Sequence, residues 1–351
     1  MRNLTIFVDS FVRLRGRARE ALGRAEPRPP QPGLPQWRKL VVTDRAEEAD
    51  GVVSLRLAAP SGGPLKPWQP GAHLQLELPS GKIRHYSLNG DPADRACYRV
   101  AVRRIIDGGG GSSEVHDAVT QGTVLRVAGP ANAFPFAADP AVLLIAGGIG
   151  ITPILPMARK AAALGLDWRL VYAGRSRATM PFLDEVRALP SARSRVAILA
   201  DDETGVPDAA DLIGRAPTGA AVYACGPPPM LAGVRDAVNA AIDAGRLRAL
   251  HFERFTAPPV TDGHPFEVEL ARSGTVLPVP ADRSVLDVLR AHDPATPYSC
   301  QQGFCGTCAQ RVLRGTVDHR DQRLTGDERA AGDMLVCVSR APESERLVLD
   351  L

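Results

Sequence analysis

The chain has 351 residues, and at roughly 100–200 residues per domain this length predicts two or three domains. Hydrophobic residues make up 44% and charged residues 23% of the chain, which is usual for a globular protein. The formal net charge of +3 is too small to indicate a nucleic-acid partner, and no apolar run approaches the ~18–20 residues of a membrane span.

Residues 1–36 form an N-terminal extension that ends in a linker. A short apolar run at residues 4–8 is followed by five arginines, Arg13, Arg15, Arg17, Arg19 and Arg24. This basic stretch predicts a surface helix packed on the main body, with a weak membrane-surface or partner contact as the alternative. No long apolar core follows a charged region, so a secretory signal is not expected. Residues 27–35 are rich in proline, which removes backbone donors and fixes φ, and therefore predict the linker.

Residues 37–137 have the pattern of short β-strands separated by turns. Apolar and polar residues alternate at 52–57 and at 73–78, and Gly/Pro turns stand between such runs at 60–64 and 79–81. Several short strands at this spacing predict a small antiparallel barrel.

Two segments of this predicted barrel carry candidate ligand-binding residues. In the run Arg84-His85-Tyr86-Ser87-Leu88, an arginine could neutralise a phosphate, and a tyrosine on the same side of the strand could lie against a flat ring. The alternative is an ordinary strand with a cross-strand aromatic residue. Four glycines at 108–111 precede Ser112 and a short predicted helix, which favours anion binding through exposed amides. A flexible surface loop is the alternative there.

The pattern changes to alternating strands and helices over residues 138–256, which predicts a doubly wound α/β domain. A continuous apolar run at 142–146 predicts a buried parallel strand, and a helix is expected from Ile154 to Leu164. Further strands are expected at 168–172, 196–199 and 220–224.

Two glycine-containing turns of this domain are candidates for dinucleotide binding. Gly147, Gly148 and Gly150 follow the first apolar strand, with Thr152 at the start of a helix, although the spacing is not G-x-G-x-x-G. Glycines let a diphosphate approach the backbone, and the helix N-terminus meets its charge. The run Cys225-Gly226-Pro227 follows a later strand and precedes another helix. A purely structural turn and a buried structural cysteine are the respective alternatives.

Arg175 and Ser176 follow the second strand of the α/β domain and could contact a 2′-phosphate. Solvated surface arginines are equally common in such positions. The sequence therefore favours NADH over NADPH only weakly.

After a second linker at 257–263, residues 264–351 contain a cysteine cluster. Strands are expected at 266–270 and 274–279, then a helix capped by Ser284. The spacing Cys300-x4-Cys305-x2-Cys308, with Cys337 after 28 intervening residues, is that of a plant-type [2Fe–2S] site. A zinc site is disfavoured because Cys337 lacks a second C-x2-C partner. Four clustered thiols and no export signal predict a reducing, cytoplasmic location.

These motifs resemble those of known redox proteins. Residues 265–351 are similar to plant-type ferredoxins, which implies a β-grasp fold with iron bound by Cys300, Cys305, Cys308 and Cys337. The two upstream regions resemble the ferredoxin–NADP reductase superfamily, with its flavin-binding β-barrel and nucleotide-binding domain. The order of the three regions resembles the phthalate dioxygenase reductase family, whose members use FMN and feed electrons to oxygenases.

The resemblance implies a role for each matched residue. Flavin contacts are implied for Arg84, His85, Tyr86, Ser87, Val102, Gly111, Ser112 and Phe255. Nucleotide contacts are implied for Gly147, Gly148, Gly150, Thr152, Arg175, Ser176, Cys225, Gly226 and Pro227, with Cys225 near the nicotinamide. One departure is Asn89, where many members have cysteine.

The resemblance implies an electron-transfer enzyme with no catalytic acid or base. Electrons would pass from NAD(P)H through FMN to the cluster, and then to a Rieske-type terminal oxygenase. The alternatives are a cytochrome P450 or demethylase partner and, in another class, a ferredoxin-like sensor, which the intact flavin and nucleotide motifs disfavour. We expect a monomer that binds no nucleic acid and has no integral membrane segment.

Overall fold

The computed structural model describes residues 36–106, 110–257, 260–294, 296–298, 301–303, 306–321 and 323–351. The arginine-rich stretch of the extension and the predicted iron ligands Cys300 and Cys305 lie outside these residues. Within them, no helix combines the length and the apolar character that crossing a membrane requires.

The first part of the described chain is an antiparallel barrel-like sheet, as the alternating pattern predicted. Its elements are β1 (Arg38–Ala49), β2 (Val52–Ala58), β3 (Ala72–Glu77), β4 (Ile83–Ser87), β5 (Cys97–Arg103), α1 (Gly111–Ala118) and β6 (Val124–Asn132). The six strands lie in the order β4-β3-β6-β1-β2-β5. An antiparallel bridge between Leu88 and Val100 joins the two edges, so the sheet closes around a core of leucines and valines.

The second part is a parallel sheet covered on both faces. Its elements are β7 (Ala141–Gly147), α2 (Ile151–Ala163), β8 (Asp167–Gly174), α3 (Leu183–Arg187), α4 (Ala192–Arg195), β9 (Val196–Ala200), α5 (Asp201–Thr204), α6 (Ala209–Ile213), β10 (Ala221–Cys225), α7 (Pro228–Asp243) and β11 (Ala249–Glu253). The strand order is β11-β10-β7-β8-β9, so successive strands are added on one side of β7 and then, from β10 onward, on its other side. In open α/β sheets, ligands bind outside the carboxyl ends of the strands at this point.

Helix α2 begins three residues earlier than the sequence predicted. It starts at Ile151, and residues 148–150 form a 3-10 turn that leads directly into it. Pro153 lies in the first turn, where its missing N–H costs nothing, because those amides have no partner within the helix. The backbone N–H of Ile151 donates back to the carbonyl oxygen of Gly148, so the first turn of the helix is joined directly to the glycine-containing turn.

The third part is a small mixed sheet with one main helix. Its elements are β12 (Phe266–Leu270), β13 (Thr275–Val279), α8 (Val285–His292), β14 (Ala309–Arg314), α9 (Gly326–Ala330), β15 (Asp333–Leu335) and β16 (Arg346–Leu349), in the strand order β13-β12-β16-β14-β15. The expected hairpin is confirmed as β12 and β13, which pair antiparallel. Ser284 caps α8 as predicted, with Asp287 completing the capping box.

Candidate functional site

The two glycine-containing turns of the parallel sheet lie side by side. In the sheet register, Cys225 at the end of β10 pairs with Ala146 of β7. Gly147 and Gly226 are the next residues along their strands, so the turns leave the same sheet edge next to each other. A Cβ atom built on Gly226 would lie 3.1 Å from the Cα of Gly147. The close approach of the two turns therefore depends on glycine at both positions.

Gly150 and Gly148 serve different purposes in this turn. A Cβ atom on Gly150 would lie 2.2 Å from the carbonyl oxygen of Cys225, so the 3-10 turn packs directly on the second loop. Gly148 has φ of +55°, and nothing lies within 4 Å of the place where its Cβ would be. Its open side faces the region ahead of α2, where a diphosphate can approach backbone amides. Thr152 is buried and donates to the carbonyl oxygen of Ile149 at 3.0 Å.

Cys225, which is buried, and Glu253, which is half-buried, lie side by side at the carboxyl ends of adjacent strands. The two residues are register partners in the parallel pair β10–β11. Burial raises the pKa of the Glu253 carboxyl to about 8. Burial, and to a lesser degree the Glu253 carboxyl, raises the pKa of the Cys225 thiol well above its ordinary value. At neutral pH this end of the site therefore presents a thiol and a mostly protonated carboxyl.

Glu253 also reaches the barrel, which sequence reasoning missed. The Ser87 hydroxyl donates to Oε2 of Glu253 at 3.4 Å. The signal in the sequence was a carboxylate at the end of an apolar strand, beside the run Arg254-Phe255. Because Ser87 ends the strand with the R-x-Y-S motif, this contact joins the predicted flavin motif to the predicted nicotinamide end of the sheet.

Arg84 lies across the start of helix α1. A Cβ atom on Gly111 would stand 2.5 Å from Nε of Arg84, so only glycine allows the arginine to pack on the first helical turn. This places the guanidinium beside backbone amides that have no partner within the helix. The arrangement fits a phosphate group, which accepts hydrogen bonds from both. The Arg84 Nη2 also donates to the hydroxyl of Tyr298 at 3.0 Å.

Tyr86 and His85 point to opposite faces of β4, as the strand period requires. Tyr86 packs against the barrel core, and burial raises the pKa of its hydroxyl above the usual range. The His85 ring stacks on His73 with 4.9 Å between ring centroids. Burial, and for His85 also the neighbouring ring, lowers the pKa of His73 to about 4 and of His85 to about 3. Both imidazoles are therefore neutral at physiological pH.

The remaining predicted flavin residues lie around this strand. Val102 is in the barrel core, and its carbonyl oxygen is 2.9 Å from Nε2 of His116. The Ser112 hydroxyl accepts from the backbone N–H of Ile105 at 3.0 Å. Phe255 is 44% exposed just beyond β11. Their contacts with a flavin stay predictions.

Some of the polar groups in the segment predicted to bind a 2′-phosphate already have hydrogen-bond partners within the protein. Ser176 caps the 3-10 turn at 177–179, where its hydroxyl lies 3.3 Å from that of Thr179. Arg175 is exposed. The adjacent Arg177 pairs with Glu203 through two hydrogen bonds of 2.6 and 2.9 Å. An arginine held by a carboxylate is less available to a phosphate.

The described iron-ligand candidates are brought together by strand pairing. Ala309 of β14 pairs with Leu335 of β15, which places Cys308 and Cys337 at the same end of this ladder. Both cysteines are buried. Gly303 and Gly306, which precede Cys308, have φ of +77° and +81°. A side chain on Gly303 would collide with Val338, so glycine allows the backbone there to approach the residue that follows Cys337.

The cysteine loop also touches the nucleotide-binding sheet. Gln302 donates through Nε2 to the carbonyl oxygen of Arg254 at 2.6 Å. Arg254 directly follows Glu253, so the cysteine loop, the end of β11 and Ser87 of the barrel lie around one point. Ser87, Glu253 and Gln302, one residue from each of the three motif regions, therefore meet at this strand end.

A charged cluster joins the barrel to the parallel sheet. Arg99 of β5 donates to both carboxylate oxygens of Glu185, at 2.7 and 2.9 Å, and Arg159 of α2 contacts the same carboxylate. Arg99 also donates through Nε to Oδ1 of Asn89 at 2.6 Å. Asn89 is the residue at which the flavin motif departs from its relatives, and here it orients the arginine of this cluster.

Comparison with known proteins identifies two of the three parts. Residues 144–236 match the oxidoreductase NAD-binding domain family. Residues 268–342 match the 2Fe-2S iron-sulfur cluster binding domain family.

Similar proteins cover nearly the whole chain. The phenoxybenzoate dioxygenase subunit beta of Ectopseudomonas oleovorans is 43% identical over 309 residues, which are 86% of this chain and 94% of that protein. The solved structure of phthalate dioxygenase reductase, titled a modular structure for electron transfer from pyridine nucleotides to [2Fe-2S], is 38% identical with a TM-score of 0.65. The match covers 90% of this chain and 98% of that one. An intact type IV self-sufficient cytochrome P450 monooxygenase is 37% identical with a TM-score of 0.65, covering 95% of this chain and 44% of that one.

Proposed function

Because the chain belongs to the phthalate dioxygenase reductase family, we propose that it takes electrons from NADH and passes them to a terminal oxygenase through FMN and a [2Fe–2S] cluster. When bound, the flavin supplies the conversion from a two-electron hydride donor to single electrons that the cluster accepts. The protein's own task is to hold donor, flavin and cluster close together.

One observation carries this proposal. Two polar contacts from different parts of the fold meet at consecutive residues of one strand end. Ser87 of the barrel donates to Glu253 at 3.4 Å, and Gln302 of the cysteine loop donates to the carbonyl oxygen of Arg254 at 2.6 Å. All three motif regions therefore converge, which is what short-range electron transfer requires.

The residues of the barrel would bind the flavin. Arg84 and the amides at the start of α1 would neutralise its phosphate, and Tyr86 would pack on its ring. Ser87 would lie at its edge beside Glu253. His85, held against His73 on the other face of β4, would keep this strand in place.

The two glycine turns would position the nicotinamide nucleotide. The open side of Gly148 and the N-terminus of α2 would accept the diphosphate. Cys225 and Glu253, both mainly uncharged at neutral pH, would line the nicotinamide end without adding a charge there. The pairing of Arg177 with Glu203 and the capping role of Ser176 support NADH over NADPH.

The cluster would be bound by Cys300, Cys305, Cys308 and Cys337. The burial of Cys308 and Cys337, which lie at the same end of the β14–β15 ladder, supports this ligand set. We further propose domain limits at 37–137, 138–256 and 264–351 and a cytoplasmic location, in which the thiols stay reduced.

An absorption spectrum tests the function as a whole. Purified protein reconstituted with iron, sulfide and FMN should show both flavin and iron–sulfur bands, and NADH should bleach them more effectively than NADPH. Protein that stays colourless after anaerobic reconstitution would contradict the proposal.

A cytochrome P450 partner is the second candidate. The match to a type IV self-sufficient P450 monooxygenase, 44% of which the matched region makes up, supports this candidate beside the Rieske-type oxygenase. Reconstitution with one oxygenase of each kind, measured as NADH oxidation coupled to product formation, separates the two.

A further inference from the structure

Tyr298 links the segment before the cysteine loop to the barrel. It lies two residues before Cys300, and its hydroxyl accepts a hydrogen bond of 3.0 Å from Arg84, 214 residues earlier in the chain. The Cζ atom of Arg84 is also 5.3 Å from the centroid of the tyrosine ring. The arginine with the predicted phosphate-binding role is therefore in contact with the third part of the fold.

A second arginine fixes the ring of Tyr298. The Cζ atom of Arg290, on helix α8, lies 3.9 Å from the ring centroid. Arg84 and Arg290 thus both contact the aromatic ring through cation–π interactions. Because the ring is held by residues from both parts, its hydroxyl has a defined position beside Arg84.

The Tyr298 hydroxyl still has a proton to donate, which calls for a hydrogen-bond acceptor beside it. A tyrosine hydroxyl can donate one hydrogen bond and accept others, and a guanidinium can only donate. Arg84 therefore uses an acceptor site of Tyr298 and leaves the hydroxyl proton for another group. Among the described residues, no side chain or carbonyl accepts this proton. Phosphate oxygens are acceptors that would bind Arg84 and the hydroxyl together.

The surroundings of this pair are basic. Arg84 packs on Gly111 at the start of α1, and the Nζ of Lys82 would lie 3.9 Å from a Cβ atom on Gly110. Lys82 is also 3.7 Å from the Glu114 carboxylate, so its charge is partly balanced. Arg84 donates through Nη1 to the carbonyl oxygen of Ile83 at 2.8 Å and through Nη2 to the tyrosine hydroxyl.

We propose that Tyr298 is a ligand of the flavin phosphate, supplied by the iron–sulfur part of the chain to a cofactor otherwise held by the barrel. This inference rests on the proposed function, because it needs FMN in the barrel site. Its consequence is that the phosphate, Arg84 and Tyr298 join the barrel to the third part of the fold.

The test compares two flavins that differ only in the phosphate. Full-length protein with its cluster assembled and its flavin removed is titrated with FMN and with riboflavin, and flavin fluorescence gives the two dissociation constants. Tyr298→Phe keeps the ring between Arg84 and Arg290 and removes only the hydroxyl. Its affinity for FMN should fall by about tenfold or more, the effect of one hydrogen bond to a charged group. Its affinity for riboflavin should stay that of the wild type.

Tyr98→Phe is the matched control. The Tyr98 hydroxyl donates to the carbonyl oxygen of Lys66 inside the barrel, so its loss should leave the ratio of FMN to riboflavin affinity unchanged. Unchanged FMN affinity in Tyr298→Phe, or an equal loss for both flavins, overturns the proposed phosphate contact. Wild-type protein that binds neither flavin instead contradicts the proposed function.

Discussion

The Ser87 hydroxyl and the Glu253 carboxyl lie 3.4 Å apart, although 166 positions separate them in the chain. Ser87 ends the barrel strand that carries the R-x-Y-S motif, and Glu253 ends the last strand of the parallel sheet. Cys225 is the register partner of Glu253 on the adjacent strand. The contact therefore joins the strand of the predicted flavin motif to the strand end of the predicted nicotinamide site.

The buried carboxyl of Glu253 should make the stability of the flavin-free protein depend on pH. Its pKa rises from an ordinary 4.5 to about 8 on folding. Between these values the unfolded chain has released the proton that the folded chain keeps, so stability should fall as pH rises through this window. At roughly 1.4 kcal/mol per pKa unit, the loss is of the order of a few kcal/mol.

Glu253→Gln replaces the protonated carboxyl by a neutral amide and should remove most of this pH dependence. Urea unfolding of wild type and variant at the two ends of the window measures it. Glu47→Gln, which changes an exposed carboxylate, should keep the wild-type slope. If the free energy of unfolding of Glu253→Gln fell with pH as steeply as that of the wild type, burial of Glu253 would not be the cause of the pH dependence.

Replacing Gly150 should mainly lower stability, whereas replacing Gly148 should mainly weaken NADH binding. Gly150→Ala would place a Cβ atom 2.2 Å from a backbone carbonyl oxygen that cannot move aside, and should cost about 1–3 kcal/mol of stability. Gly148→Ala meets no neighbour, so it should cost only the roughly 1–2 kcal/mol of a left-handed residue and mainly weaken NADH binding. Unfolding curves and NADH titrations separate these effects. If both variants bound NADH as tightly as the wild type, the proposed diphosphate site would be contradicted.

Cys308→Ser should remove the visible absorption of the cluster while NADH still bleaches the flavin. The Cys308 thiolate is a proposed cluster ligand, and flavin reduction precedes cluster reduction in the proposed order. Cys97→Ser, which alters a cysteine on the barrel outside the cluster set, should leave both signals intact. If Cys308→Ser retained bound flavin that NADH could not reduce, the order of transfer would be wrong.

Glu185 should matter for the relative placement of the barrel and the parallel sheet. Glu185→Gln leaves the largely buried guanidinium of Arg99 without its carboxylate, which should cost about 1–3 kcal/mol, since Glu185 itself is partly exposed. We also expect slower flavin reduction by NADH in rapid-mixing experiments, because the nicotinamide and flavin sites are then held less firmly.

Asp184→Asn is the control for this prediction. Asp184 is the neighbouring carboxylate, its side chain is 97% exposed, and it pairs with Arg187 within the same helix. Its replacement should change neither stability nor flavin reduction by a measurable amount. Equal behaviour of the Glu185 and Asp184 variants would show that the Arg99 cluster does not position the two parts.

Much of the fold followed from local sequence patterns, because strand period and apolar runs are local properties. The alternation at 52–57 and the apolar run at 142–146 correspond to β2 and β7. The start of α2 was misplaced by three residues, because a 3-10 turn and Pro153 continue the helical path without an apolar repeat.

The site was predicted motif by motif, but its assembly was not. Glycine turns and cysteine spacing are visible in the sequence because their chemistry fixes the residue types. The contacts of Ser87 with Glu253 and of Arg84 with Tyr298 join distant segments, and their residue types are common on any surface. Only the folded arrangement of the three parts reveals them.

Anaerobic rapid mixing of the reconstituted protein with NADH tests the central claim most directly. Flavin absorbance should fall first and cluster absorbance second, at a rate independent of protein concentration, because transfer occurs within one chain. Protein that carries the cluster but no flavin should show no cluster reduction by NADH. Equally fast cluster reduction in that flavin-free protein would contradict the account.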